Sequence, residues 1–388
     1  MCNVLREGFQ GALVGLLLLV CLGSCAAESR AQVTSGEMEL SPLPAAPPTL
    51  AAHLAELGAP DVQLPAVRLP SSVRRGVTLA GYTETVLADE RTLSLLEEMW
   101  HAGVRWLALV PTWYQASVDA TTITRKMSVT PTDEALRTCI RRAHQRGFRV
   151  FLKPHVDVET GEWRGWITPR KRPAWFASYT VMLTHYAQLA QEEGVAALAI
   201  GVELKTLEEE TAHWQHVIRE VRAVYRGLLT YAANHDSYQD VQFWDALDWI
   251  GIDAYFPVAT TNTPTVETML AHWHTHVRSL QTWRQHRGLT AHPVVFTEVG
   301  YVSAKGTARR PWWYPAACDA APVAMAEQRD AYEALFRAVK VSGLIEGVFL
   351  WWWDNPSTGD VWPDGLQWRC FFTPRGKPAF TVLQEAYR

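Results

Sequence analysis

Two glutamates in this chain each close an unbroken apolar run. Glu203 follows Ala-Leu-Ala-Ile-Gly-Val and Glu298 follows Pro-Val-Val-Phe-Thr, so each stands where a buried strand reaches its exposed end. Two carboxyl groups so placed suit glycoside hydrolysis, in which one protonates the leaving oxygen while the other attacks or activates water. Other strand-like runs also end in groups that bind hydroxyls or move protons: Lys153-Pro154-His155-Val156-Asp157, Asn234-His235-Asp236, Asp253-Ala254-Tyr255 and Trp351-Trp352-Trp353-Asp354-Asn355. One polar strand end means little, but their repetition points to a shared mouth. Asp236 and Asp253 read as ion-pairing or orienting carboxylates. His272 and His276 have the helical spacing of a metal pair but no third ligand in suitable context, so neither a metal nor a cofactor is expected. His155 with Asp157 could hold a cation, although contact with substrate is preferred. Arg309-Arg310-Pro311-Trp312-Trp313-Tyr314 suits either a sugar subsite or rim packing, and Arg170-Lys171-Arg172 reads as a solvated basic turn.

The elements that must carry these residues are short β-rich runs alternating with longer amphipathic stretches, the pattern of repeated βα units. Strand-like runs fall at 76–82, 104–113, 149–157, 197–204, 228–234, 249–255, 293–301 and 347–354. Helix-like stretches fall at 89–102, 133–146, 175–193, 208–225, 265–287 and 324–342, the first two ending at Gly103 and Gly147. Eight strands with intervening helices predict a single (β/α)8 barrel, whose chemistry collects at the C-terminal strand ends. An open doubly wound sheet is disfavoured because no Gly-rich phosphate loop follows any strand.

Composition agrees. The 388 residues are 48% hydrophobic and 20% charged, enough for a sizeable core and too balanced for disorder. A net charge of -4 gives no basic field for nucleic acid. The 18 tryptophans favour carbohydrate, since the indole face stacks on sugars and its N–H bonds hydroxyls.

The N-terminus reads as an export signal. Residues 12–22 form an apolar run of leader length, and Leu22-Gly23-Ser24-Cys25-Ala26 resembles a bacterial lipoprotein box with Cys25 as the lipidated residue. Ordinary cleavage nearby is the alternative. The expected organisation is therefore a signal peptide at 1–25, a Pro/Ala-rich tether at 26–70 with a short helix near 50–57, and the barrel at 71–388. Membrane contact is expected only through the lipid, with the barrel a monomer. Of the cysteines left after cleavage, Cys139, Cys318 and Cys370 read as buried apolar thiols, one bridge among them staying open.

The ordered set Lys153-Pro154-His155, Gly201-Val202-Glu203-Leu204, Asp253-Ala254-Tyr255, Thr297-Glu298-Val299-Gly300-Tyr301 and the Trp-rich last strand resembles glycoside hydrolase family 113, within the clan that carries glutamates at the ends of barrel strands four and seven. The resemblance spans 81 to about 353. It implies a retaining β-1,4-mannanase with Glu203 as acid/base and Glu298 as nucleophile, their carboxyl groups about 5 to 5.5 Å apart. Glu203 should then sit in the drier or more negative surroundings. Tyr255 would hydrogen-bond Glu298, His155 and Asn234 would contact sugar hydroxyls, and Trp113, Trp352 and Trp353, with Trp351, would supply a stacking floor, although alternation keeps adjacent tryptophans from all facing inward. One departure stands out: Val202 occupies the position where many enzymes of this clan carry Asn. Two other readings stay open, a surface glycan-binding lipoprotein without turnover and a β-glucanase or β-glucosidase-like enzyme of the same clan.

Overall fold

The structure is a computed structural model and is described for residues 66–313, 322–354 and 370–388. The leader, Cys25, the 50–57 helix, Cys318, Tyr314 and Asn355 lie outside the described residues. Eight parallel strands close a (β/α)8 barrel: β1 (Arg74–Ala80), β2 (Trp106–Val110), β4 (Arg149–Leu152), β6 (Ala197–Val202), β7 (Leu228–Asn234), β8 (Trp249–Asp253), β9 (Val294–Val299) and β10 (Ile345–Leu350). Around it run α1 (Glu90–His101), α2 (Asp133–Arg146), α3 (Arg172–Glu192), α4 (Thr211–Val224), α5 (Val266–His286), α6 (Met325–Ser342) and α7 (Pro378–Tyr387). Local chemistry sets their starts: Asp89 caps α1 by accepting from the Arg91 N–H, and Thr132 caps α2 by accepting from the Ala135 N–H. Only a 3₁₀ turn, Trp244–Ala246, links β7 to β8.

Two of the expected strands are each broken by a proline. The 104–113 run divides at Pro111 and the 149–157 run at Pro154, because proline has no N–H to offer the ladder. The remainders, β3 (Thr112–Gln115) and β5 (His155–Val158), pair with each other in parallel, Thr112 opposite His155, and form a lip above the barrel. The packed domain also reaches back into the expected tether: Val67 and Leu69 are buried, and the Leu69 N–H donates to the Ala386 carbonyl at 2.9 Å.

The barrel interior is apolar below and charged above. Its lower layer interlocks Trp106, Phe151, Trp249 and Phe349. Gly76, paired with Trp106 and Phe349 in the ladder, must lack a side chain, since a Cβ there would come within 2.3 Å of the Phe349 ring. Cys139 is a buried free thiol, whereas Cys370 is disulfide-bonded, the alternative that stayed open beside its reading as an apolar thiol. Sequence spacing carries no information on which sulfurs meet in space.

Candidate active site

The ladder brings the polar strand ends to one level. Asn234 on β7 pairs with Asp253 on β8, and Asp253 pairs with Glu298 on β9. The register of β9 slips by one residue between Phe296 and Glu298, so Thr297 and Glu298 together oppose Asp253. Such a bulge re-aims a side chain that strict alternation would send away. Here the Thr297 hydroxyl donates to Asp253 at 2.8 Å while Glu298 joins the same cluster.

Glu298 is buried and held from two sides. The Lys153 ammonium donates both to it and to Asp253, the latter at 3.0 and 3.1 Å, and the Tyr255 hydroxyl donates to its Oε2 at 2.7 Å. Burial, then the charge of Glu298, pushes the Asp253 carboxyl well above the ordinary range, against the pull of Lys153. Burial and the adjacent Glu298 also raise Tyr255, which therefore stays protonated and donates. His155 Nε2 lies 3.8 Å from Glu298 Oε1. Burial, with Arg164 and Lys153 nearby, holds His155 well below its usual value, so the ring is neutral, and both its nitrogens are buried without a hydrogen-bond partner among the described residues.

Glu203 sits in different surroundings. A register shift in β6 between Ala199 and Val202 precedes it, and its φ of 50° is the left-handed conformation that a non-glycine residue adopts only under constraint. That constraint is visible in the backbone: the Glu203 N–H donates to the Ala232 carbonyl at 2.8 Å, and the Leu204 N–H donates to the Tyr231 hydroxyl at 3.0 Å. Tyr231 in turn donates to Glu208 at 3.1 Å, as does Ser237. Burial pushes the Glu208 carboxyl up to about 8. The Glu203 side chain accepts at Oε2 from Trp163 Nε1 at 3.2 Å and from Arg164 Nη1 at 3.1 Å. Burial raises its pKa; Arg164 pulls it down and Glu298 pushes it up, the net direction being upward. The two glutamates thus face one mouth, one paired with an ammonium and the other kept protonatable.

The remaining expected residues divide. Trp351, half-buried, stacks on His155 with ring centroids 6.1 Å apart, and Trp352 leans against Trp351 and Tyr82. Trp353 is a correction: it is buried against Phe380 of α7, because it lies past the end of β10, where strand alternation no longer sets the face a side chain takes. Trp113 is another, since its indole N–H donates to Tyr186 of α3 and its ring packs on His185 and Tyr186. Asn234 spends its amide within its own turn, on Asp236 and His235. Asp236 pairs with Lys205 and Asp253 with Lys153, as their ion-pairing reading expects. Trp312 stacks on His235 at 5.3 Å, which brings the 309–313 segment to the rim beside Asn234. The basic turn is exposed, as expected, and carries surface ion pairs, Arg170 with Asp119 and Arg172 with Glu210. Sequence reasoning passed over Trp163, Arg164, Tyr231 and Glu208; the only signal was an aromatic-basic pair in the loop after the third barrel strand.

The family model for Glycoside Hydrolase Family 113 matches residues 81–359. In structure the chain resembles the family 113 β-mannanase from Alicyclobacillus acidocaldarius, with a TM-score of 0.70 and 29% identity over 81% of this chain and 97% of that one. It also resembles a second solved family 113 β-1,4-mannanase, with a TM-score of 0.69 and 25% identity over 81% and 98% of the two chains. The catalytic domain of family 53 from Ignisphaera aggregans, at 15% identity and a TM-score of 0.51 over 85% and 100%, shares the fold alone. No curated protein matches the chain in sequence. A closed barrel, two glutamates at the ends of its fourth and seventh strands and a family match across most of its length lead to one assignment: the chain belongs to glycoside hydrolase family 113.

Proposed function

We propose that this glycoside hydrolase cleaves β-1,4-linked mannan or manno-oligosaccharides by double displacement, with Glu298 as nucleophile and Glu203 as acid/base. The observation that carries this reading is the contrast between the two carboxyl groups: Glu298 is ion-paired to Lys153 and oriented by Tyr255, whereas burial raises the proton affinity of Glu203 against the pull of Arg164. In the first step Glu298 attacks the anomeric carbon as Glu203 gives its proton to the departing glycosidic oxygen, leaving a covalent glycosyl-enzyme. Glu203, now a carboxylate, takes a proton from water as the water attacks, and the sugar leaves with its anomeric configuration retained. Neutral His155, with Nε2 beside Glu298 and neither nitrogen hydrogen-bonded among the described residues, is the group offered to hydroxyls of the reacting sugar, because Val202 is apolar and packed into the barrel interior. Trp351 and Trp352 supply the stacking surface. Mannan is favoured over glucan by the family 113 relatives, which are β-mannanases.

The test is product release from β-mannan and from β-glucan by the wild type, Glu203→Gln and Glu298→Ala, with NMR observation of the first anomer formed. Mannan cleavage lost in both variants, with the β-anomer appearing first, is the expected result. Cleavage of glucan alone overturns the substrate, and an α-anomer first overturns double displacement.

A further inference from the structure

A fixed cation against a general acid is unexpected, since it favours the charged form that an acid must not hold before reaction. Yet Arg164 is ion-paired to Glu203, and its placement is elaborate. Arg164 opens a 3₁₀ turn, Arg164–Trp166, that follows the lip strand β5. Its Nε and Nη2 donate to Asp157 Oδ1 on β5 at 3.0 and 2.6 Å, and its third arm, Nη1, reaches Glu203. Trp163 reaches the same carboxyl by lying across Gly165, where a Cβ would come within 2.3 Å of the indole ring. Burial would lower the Arg164 pKa, but Asp157, Glu203 and Glu298 raise it, so the guanidinium stays charged.

Both donors meet Glu203 on one oxygen, Oε2, and no hydrogen bond among the described residues reaches Oε1. A proton on Oε2 would point at two N–H groups, one of them cationic. We propose that Arg164 and Trp163 steer the acidic proton of Glu203 onto Oε1, the oxygen free to meet the glycosidic bond, while Asp157 occupies the rest of the guanidinium so that Arg164 orients the carboxyl without stripping it. This rests on Glu203 being the acid/base. When the C1–O bond breaks, the proton passes from Oε1 to the departing oxygen, and Arg164 is already beside the carboxylate that remains. Arg164, Trp163 and Asp157 are positioning residues, acting through Glu203. The other titratable groups facing Glu203 are Glu298, Lys153, Asp253 and Tyr255, and all stay in place in the variants below.

The experiment compares full-length wild type, Arg164→Met, Asp157→Asn and Glu203→Gln on whichever of β-mannan and β-glucan the wild type cleaves, and on a dinitrophenyl glycoside of the same sugar, whose leaving group departs without a proton. Arg164→Met is expected to lose about 100-fold in kcat/KM on the polysaccharide and only a few-fold on the dinitrophenyl glycoside. The alkaline limb of kcat/KM should move to lower pH by about one unit in Asp157→Asn, where Arg164 acts unopposed, and to higher pH in Arg164→Met. Equal losses on both substrates in Arg164→Met, or an alkaline limb unmoved in Asp157→Asn, overturn the proposal. If Glu203→Gln itself slows both substrates equally, the acid/base reading falls with it. Should Arg164→Met fail to fold, the limb of Asp157→Asn decides alone.

Discussion

The floor and the mouth of this barrel are built on the same strands and the same inward-facing columns, two residues apart or four. Phe151 on β4 stands below Lys153, which directly follows that strand, Trp249 below Asp253 on β8, and Phe349 on β10 below Trp351, which directly follows it. At the floor, four aromatic rings meet with centroids 5.1 to 6.1 Å apart, and Arg74 and Arg149 each lie 4.8 Å from a tryptophan centroid with their charges turned toward the end of the barrel. At the mouth, one buried ammonium serves two buried carboxyl groups. Shape complementarity stabilises the first arrangement, whereas the second spends desolvation free energy to hold charges where a reaction needs them. The comparison teaches that residues a few ångströms apart on one strand answer to different physics, so their substitutions should separate into stability effects and rate effects.

Replacing Glu298 by Ala should give the widest separation. We expect kcat to fall by at least about 10⁴-fold, with the melting temperature unchanged or raised, because one of two carboxyl groups crowding Lys153 is gone. Calorimetry beside steady-state kinetics measures both, and a large loss of stability with activity intact would invert the comparison. Lys153→Met should strike both properties at once: two buried carboxyl groups lose their cation, at a cost of about 3–5 kcal/mol in denaturant unfolding at neutral pH, and turnover falls as well. Part of that stability should return when Asp253→Asn is added, a coupling that a double-mutant cycle reads directly. At the floor, Phe349→Ala should cost about 3–5 kcal/mol while leaving kcat within about two-fold at a temperature where the protein stays folded. A rate loss beyond that would mean the floor reaches the chemistry.

The smallest effect lies under Glu203. Glu208, raised from 4.5 to about 8, binds its proton more tightly in the folded than in the unfolded chain. Its contribution is therefore complete below about pH 4.5 and is withdrawn as pH rises through about 8, with a slope of at most about 1.4 kcal/mol per pH unit. Glu208→Gln, which keeps an uncharged group against Tyr231 and Ser237, should flatten stability between these limits when unfolding is followed across pH. An unchanged slope would mean that Glu208 is already ionised in the folded protein.

How much of this could be read from the sequence differs from residue to residue. Glu203 and Glu298 were legible because each ends an apolar run of strand length, and strand alternation with helical periodicity is enough to count eight βα units. Asp253 was legible as an ion-pairing group, but not that Lys153 would be shared between it and Glu298, since the three residues are far apart in the chain and meet only when the barrel closes. The tryptophans were legible as a class and not as individuals: Trp351 lies on His155 and Trp353 under α7 although they are two residues apart, a choice made by how the segment past β10 packs.

The amino-acid sequence by itself determined the barrel, its strand count and the two carboxyl groups at its mouth, because those depend on local periodicity and on where apolar runs stop. Only the tertiary structure decided the surroundings that make the two carboxyl groups unlike. The bulge that brings Thr297 and Glu298 onto one partner, the pairing of β3 with β5 that sets His155 and Asp157 on a separate lip, the left-handed backbone of Glu203 and the convergence of Arg164 and Trp163 on one oxygen all arise from contacts between segments distant in the chain. Burial and the distance between charges, which set the proton affinity of a carboxyl group, are properties of that packing and have no counterpart in the order of residues.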